Sequence, residues 1–109
     1  MTERAVARFV RVGLASQVPD GRPEVFDVED RKIAVYRLAD GYHAIDDLCT
    51  HDGGPLAEGE IDGDVVTCPR HGARFSIRTG AALSFPAVTP VDIYPVRVEG
   101  KDLLVGLPD

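Results

Sequence analysis

The chain has 109 residues, of which 44% are hydrophobic and 28% are charged. This composition favours one globular domain over a disordered chain. The formal net charge of −6 argues against a nucleic-acid partner, which usually requires a basic surface. No stretch approaches the roughly 20 apolar residues that cross a membrane, and no apolar signal segment follows Met1. We therefore expect a single domain, residues 1–109, in the cytoplasm and without a membrane partner.

The acidity of the chain has two interpretations at this stage. A charge of −6 fits a protein that is steered towards basic partner surfaces by long-range electrostatics. It fits equally well a protein whose acidic residues only improve solubility. The sequence does not show where the charges cluster, so both interpretations stay open.

In the first half of the chain, short runs of β-branched and apolar residues alternate with turn residues, which predicts strands. The predicted strands are 8–14, 24–28, 32–38 and 42–46. Ala39-Asp40-Gly41 separates the last two and is typical of a hairpin turn. No segment shows the 3.6-residue period of a long amphipathic helix.

The second half continues the same pattern. Its predicted strands are 60–62, 64–67, 73–77, 91–99 and 102–107. Asp62-Gly63 and Gly100-Lys101 are predicted hairpin turns, and Pro95 indicates an edge or a bulge because proline has no N–H to donate. Two compact loops, 47–59 and 68–72, and an irregular loop, 81–90, interrupt the strands. We expect an all-β fold, a small antiparallel β-sandwich or partly open barrel, with the two compact loops side by side at one end.

Four of the five cysteines and histidines lie in two short motifs, Cys49-Thr50-His51 and Cys68-Pro69-Arg70-His71. Sixteen residues separate the motifs, and a predicted hairpin among them can bring the two loops together. Thiolates combined with imidazoles suit zinc or an iron–sulfur centre. Structural zinc sites usually take like ligands in close pairs, whereas here each pair is mixed. In a [2Fe–2S] centre, two histidines can replace two cysteines on one iron, so mixed pairs favour such a cluster.

Other interpretations of these residues remain at this point. A disulfide is uncommon in a cytosolic chain, so the two cysteines could be buried thiols, nucleophiles or metal ligands. The third histidine, His43, lies on a predicted strand outside both motifs, and we interpret it as a structural or surface residue.

The paired motifs resemble those of Rieske-type ferredoxins, and the likeness extends over roughly residues 8 to 107. The resemblance implies the Rieske-like all-β fold with a two-loop subdomain that binds one [2Fe–2S] cluster. It implies that Cys49 and Cys68 bind the buried iron, and that His51 and His71 bind the outer iron, which is the one reduced. Further residues expected around the cluster are Gly53, Gly54, Arg70, Gly72, Ala73, Phe75 and Pro86.

The resemblance also implies roles for these surrounding residues. The glycines are expected to let backbone N–H groups approach the cluster sulfides, and the loop of Pro86 is expected to cover the cluster. Arg70 either assists docking or is simply a solvated side chain.

The same resemblance implies a low reduction potential. High-potential members carry an extra cysteine in each loop, where this chain has Gly54 and Arg70. They also carry a serine and a tyrosine that donate hydrogen bonds to the cluster and its cysteine, where this chain has Ala73 and Phe75. This chain therefore has fewer hydrogen-bond donors to stabilise the reduced state of the cluster. We expect a potential near the low end of the Rieske range, roughly −150 mV.

The function implied by the resemblance is that of a soluble, monomeric carrier of single electrons. Its expected partners are a flavin-dependent reductase and an oxygenase component. A chain of 109 residues leaves no room for a mononuclear iron domain, so no catalytic residues are expected. Two alternatives stay open: a small accessory subunit of the NADH-dependent nitrite reductase type, which often lacks the ligands, and a structural zinc module.

Overall fold

The computed structural model describes residues 8–50, 53–70, 72–85 and 89–108. Within these ranges, ten strands form three antiparallel sheets. The strands are β1 (Arg8–Leu14), β2 (Glu24–Val28), β3 (Arg31–Leu38), β4 (Gly41–Asp46), β5 (Glu60–Asp62), β6 (Val65–Thr67), β7 (Arg74–Ser76), β8 (Ile93–Tyr94), β9 (Val96–Glu99) and β10 (Asp102–Leu107). No helix in the described part of the chain is long and apolar enough to cross a bilayer.

Strand β3 is central to the molecule because both of its faces are buried. It lies in the four-stranded sheet, whose order is β2-β3-β4-β8. Successive side chains of a strand point to opposite faces, so Ile33 and Val35 enter one buried cluster while Ala34 and Tyr36 enter the other. The four-stranded sheet therefore separates two hydrophobic cores.

The three-stranded sheet β1-β10-β9 covers one face of the four-stranded sheet. The predicted single strand 91–99 is wrong in one respect, because the structure divides it at Pro95. The residues before Pro95 pair with β4, and those after it pair with β10. Proline offers only its carbonyl, which accepts from the N–H of Gly106 at 2.9 Å. Pro95 thus marks the point where the chain passes from one sheet to the other.

The third sheet, β5-β6-β7, covers the opposite face and carries the second core. Gly63 has φ +63° in the turn between β5 and β6, as the predicted Asp62-Gly63 hairpin requires. Gly59 precedes β5, and a Cβ built on it would lie 1.8 Å from the carbonyl oxygen of Thr67. Only glycine allows the backbone to approach β6 so closely there.

The predicted all-β, antiparallel fold is confirmed, and the sheets do not close into a barrel. All three predicted hairpin pairings are present: β3 with β4, β5 with β6, and β9 with β10. Strands β1, β2, β5 and β10 have the predicted bounds. The bounds of β3, β4 and β6 differ by one residue at one end, and those of β7 by one residue at both ends. Pro95 accounts for the division of residues 91–99, and β8 also begins two residues later than predicted.

Candidate metal centre

The first cysteine loop leaves β4 and is closed by a pair of backbone hydrogen bonds. The Cys49 N–H donates to the carbonyl of Gly54 at 2.7 Å, and the Gly53 N–H donates to the carbonyl of Cys49 at 2.7 Å. Gly53 has φ +77°, a conformation that glycine adopts without a Cβ clash. The loop is therefore a tight ring that begins and ends beside Cys49.

The second cysteine loop repeats this geometry after β6. The Cys68 N–H donates to the carbonyl of Ala73 at 2.7 Å, and the Gly72 N–H donates to the carbonyl of Cys68 at 3.0 Å. Gly72 has φ +78°, nearly the value of Gly53. The two loops thus present their cysteines through matching hydrogen-bond patterns.

Both thiols lie inside the same hydrophobic core. Cys49 and Cys68 are each 1% exposed and share one buried cluster with Leu56, Val66 and Phe75. Neither cysteine is in a disulfide. Two buried thiols on matched loops form a donor set that fits one iron of an iron–sulfur cluster, so the described part of the site is compatible with that cofactor.

Three of the predicted residues lie outside the described ranges: His51, His71 and Pro86. Their ligand and covering roles stay predictions. Thr50, the neighbour of His51, donates its hydroxyl to the carbonyl of Thr89 at 2.5 Å. This bond links the first loop to the segment that follows Pro86.

The other predicted cluster neighbours are all described. Ala73 and Phe75 are fully buried in the core that holds the cysteines, and neither side chain can donate a hydrogen bond. Gly54 is buried and Arg70 is exposed. The N–H groups of Gly53 and Gly72 donate to cysteine carbonyls within their loops, so these two glycines shape the loops. That the glycines let other backbone N–H groups approach the cluster sulfides stays a prediction.

Asp47 is a feature that the sequence reasoning missed. This carboxylate is only 9% exposed, and its Oδ1 accepts from the N–H groups of Leu56 at 2.8 Å and Ala57 at 2.7 Å. The available signal was an aspartate at the start of a loop, a position from which the side chain often bonds nearby backbone. Its partners nine and ten residues away could not be read from that signal.

A second missed feature connects the sheets at the molecular surface. Arg78 forms ion pairs with Asp40, in the turn between β3 and β4, and with Asp64, in the turn between β5 and β6. His43 also contacts Asp40, with its Nε2 2.9 Å from the carboxylate, so this histidine lies on β4 and away from the cysteine loops. Hydrogen bonds from His43 and Arg78 hold the pKa of Asp40 below its usual value.

Comparison with known proteins gives matches over most of the chain. Residues 8–95 match the family model of the Rieske [2Fe-2S] domain. The chain is 38% identical over 95 residues to the 3-phenylpropionate/cinnamic acid dioxygenase ferredoxin subunit of Shigella boydii, covering 86% of this chain and 89% of that subunit.

Two solved structures extend the comparison to the fold. The Sphingomonas yanoikuyae B1 ferredoxin aligns with a TM-score of 0.86 at 35% identity, covering 93% of this chain and 100% of that one. A chain from the complex of reduced oxygenase and oxidized ferredoxin in carbazole 1,9a-dioxygenase aligns with a TM-score of 0.82 at 35% identity. That alignment covers 90% of this chain and 92% of that one.

Proposed function

The chain belongs to the Rieske [2Fe–2S] family and is an electron carrier with one cluster, and from this premise we propose which side chains bind the cluster and which proteins exchange electrons with it. The proposed ligands are Cys49, His51, Cys68 and His71. The observation that carries this assignment is the pair of matched loops, each of which presents a buried cysteine.

The burial of Cys49 and Cys68 supports a separate assignment of the cysteines and the histidines to the two irons. Cys49 and Cys68 hold the inner iron inside the core, where exclusion of water protects the thiolates. By resemblance, His51 and His71 would hold the outer iron and would form the exit for the electron. When bound, the cluster supplies a centre that accepts and releases one electron reversibly.

Substitution of the ligands tests this assignment. Cys49→Ser, Cys68→Ser, His51→Ala and His71→Ala each should abolish the rhombic spin-half EPR signal of the dithionite-reduced protein and lower the iron and acid-labile sulfide content. His43→Ala is the control and should retain both, because His43 lies on β4 and contacts Asp40. Zinc in place of iron, or loss of the signal in the His43 variant, would contradict the proposed ligand set.

We further propose that this carrier takes an electron from a flavin-dependent reductase and delivers it to an oxygenase component. The Shigella boydii relative is a dioxygenase ferredoxin subunit, and a similar ferredoxin has been solved in complex with its oxygenase. The proposed carrier is a monomer, a single domain over residues 1–109, in the cytoplasm.

Reconstitution tests the proposed partners. The reduced protein is mixed in a stopped-flow instrument with the oxygenase component of a related aromatic-ring dioxygenase, and re-oxidation is followed by visible absorption. We expect re-oxidation in a single phase, with no product formed when the oxygenase is omitted. A wild-type protein that holds the cluster but is not re-oxidised by any such oxygenase would argue against this partner. If the protein binds no cluster, the result would support the alternative interpretation, a small accessory subunit of the NADH-dependent nitrite reductase type.

A further inference from the structure

Asp47 places a buried carboxyl group on the loop that carries Cys49. It directly follows β4 and lies two residues before Cys49. Two residues of extended chain span at most about 7 Å, so the Cα atoms of Asp47 and Cys49 lie within that distance. The carboxylate also bonds the N–H of Leu56, which shares a buried cluster with both cysteines. It therefore lies beside the core of the proposed cluster, although it is not a proposed ligand.

The carboxylate closes an outer ring around the first cysteine loop. Its Oδ1 accepts two hydrogen bonds, from the N–H groups of Leu56 and Ala57. Its own N–H donates to the carbonyl of Lys32 at 2.9 Å, which fixes the start of the loop on β3. This ring encloses the tighter one between Cys49 and Gly54.

The inner ring by itself does not require an aspartate at this position. The second loop has the same inner ring, between Cys68 and Ala73. The residue two before its cysteine is Val66, which is fully buried. The protein thus builds one loop of this shape with a buried anion and the other with an apolar side chain.

Two neutral N–H groups bond the charged carboxylate of Asp47. Among the described residues, its carboxylate accepts from backbone N–H groups and makes no ion pair with a lysine or arginine. The Nζ of nearby Lys32 bonds Asp27 at 2.7 Å and interacts with Asp47 only through space. The field of this charge reaches the core, since burial and the Asp47 charge both raise the pKa of the Tyr36 hydroxyl.

We propose that Asp47 is a positioning residue whose fixed negative charge lowers the reduction potential of the cluster. This inference rests on the proposed ligand set. Adding an electron next to a buried anion is opposed by a Coulomb term that a medium of low dielectric screens poorly. The effect adds to that of Ala73 and Phe75, which act by lacking donors, and it is confined to one side of the cluster because Val66 occupies the equivalent position.

The test compares variants that separate charge from shape. Asp47→Asn removes the charge but keeps the size and the Oδ1 acceptor. We expect it to retain the wild-type EPR line shape and to favour reduction about threefold or more, which for one electron is about 28 mV upward. Asp62→Asn removes the same charge at an exposed position on β5 and should leave the potential unchanged. Asp47→Glu keeps the charge and should keep the low potential while lowering the temperature of unfolding.

Each outcome bears on the inference. A wild-type potential in Asp47→Asn, or an equal shift in Asp62→Asn, would overturn it, even if Asp47→Asn lowers thermal stability. If Asp47→Asn loses the cluster, Asp47→Glu decides: a wild-type potential supports the role of charge, and a raised potential or a second loss of the cluster refutes it. Absence of a Rieske EPR signal in the wild-type protein would instead refute the proposed function.

Discussion

Phe75 is the residue at which a missing hydroxyl group is expected to lower the reduction potential of the proposed cluster. It is fully buried in the core that holds both cysteines, and its ring offers no hydrogen-bond donor. At the proposed cluster, a missing donor destabilises the reduced state. The low potential expected from the sequence therefore depends on an absent hydroxyl group in a fully packed position.

Restoring that hydroxyl should raise the potential. Phe75→Tyr is expected to favour reduction about tenfold, which is about 59 mV for one electron, as measured by a redox titration of the visible spectrum. Phe26→Tyr is the matched control, because Phe26 is buried in the other core, and it should leave the potential unchanged. Equal potentials in wild type and Phe75→Tyr would show that position 75 does not reach the cluster.

Among single residues, the sequence was most informative where the chemistry is local. Cys49 and Cys68 were identified from motif spacing, and the structure buries both in one core. Asp47 was not identified, because its role depends on N–H groups that folding brings to it from Leu56 and Ala57. A local pattern contains no information about such partners.

At the scale of elements, the close approach of Gly59 to β6 leaves no room for a side chain. A Cβ built on Gly59 would meet backbone atoms of Thr67 and Leu56, and backbone cannot move aside as a side chain does. The start of β5 is therefore set by this contact as well as by its pairing with β6.

Gly59→Ala should be strongly destabilising for that reason. An added Cβ would lie 1.8 Å from the Thr67 carbonyl oxygen, and we expect a cost of about 3 kcal/mol, or about 4–8 °C of Tm for each kcal/mol. Thermal unfolding followed by circular dichroism measures it. Gly100→Ala is the control: its φ of +63° strains alanine but its Cβ meets open space, so about 1 kcal/mol is expected. Similar Tm values for the two variants would contradict the steric argument.

At the scale of the whole molecule, β3 separates two hydrophobic cores that have different roles. One core holds the cysteines together with Leu56, and the other packs the two larger sheets together through Leu103. Both leucines are fully buried.

The two cores can be distinguished by matched truncations. Leu56→Ala and Leu103→Ala should each cost about 2–5 kcal/mol, since both leave a cavity in a packed core. Only Leu56→Ala should also lower the iron and sulfide content of the purified protein, because its cavity adjoins the cysteine loops. Equal loss of iron in both variants would indicate that the cluster responds to overall stability alone.

At the surface, the ion pairs of Arg78 join the four-stranded sheet to the sheet β5-β6-β7. These ion pairs are sensitive to pH. Because the folded-state pKa of Asp40 is lowered, its contribution to stability is full above the ordinary pKa of about 3.9 and is lost as the pH falls through the lowered value. Asp40→Asn should thus lower the Tm at pH 7, and the difference from wild type should shrink at acidic pH. A difference that stays unchanged at pH values where the carboxyl group of Asp40 is protonated would exclude an electrostatic origin.

Much of this protein was determined by the sequence itself. The alternation of apolar and polar residues and the turn glycines set most strand bounds, because a strand's period of two and a turn's positive φ are properties of a few adjacent residues. The paired cysteine and histidine motifs likewise indicated the cofactor, because ligand type and spacing are local.

Only the tertiary structure decided how these pieces act on one another. Pro95 was expected to interrupt a strand, yet that the chain changes sheets there depends on β4 and β10 both having a free edge to pair with. Three sets of contacts join residues from separate elements. Asp47 bonds the loop at Leu56 and Ala57, Arg78 pairs with carboxylates in two turns, and Gly59 approaches the backbone of Thr67. Such contacts arise when the sheets pack, and their energies depend on burial and on distances through space, which the order of residues along the chain does not contain.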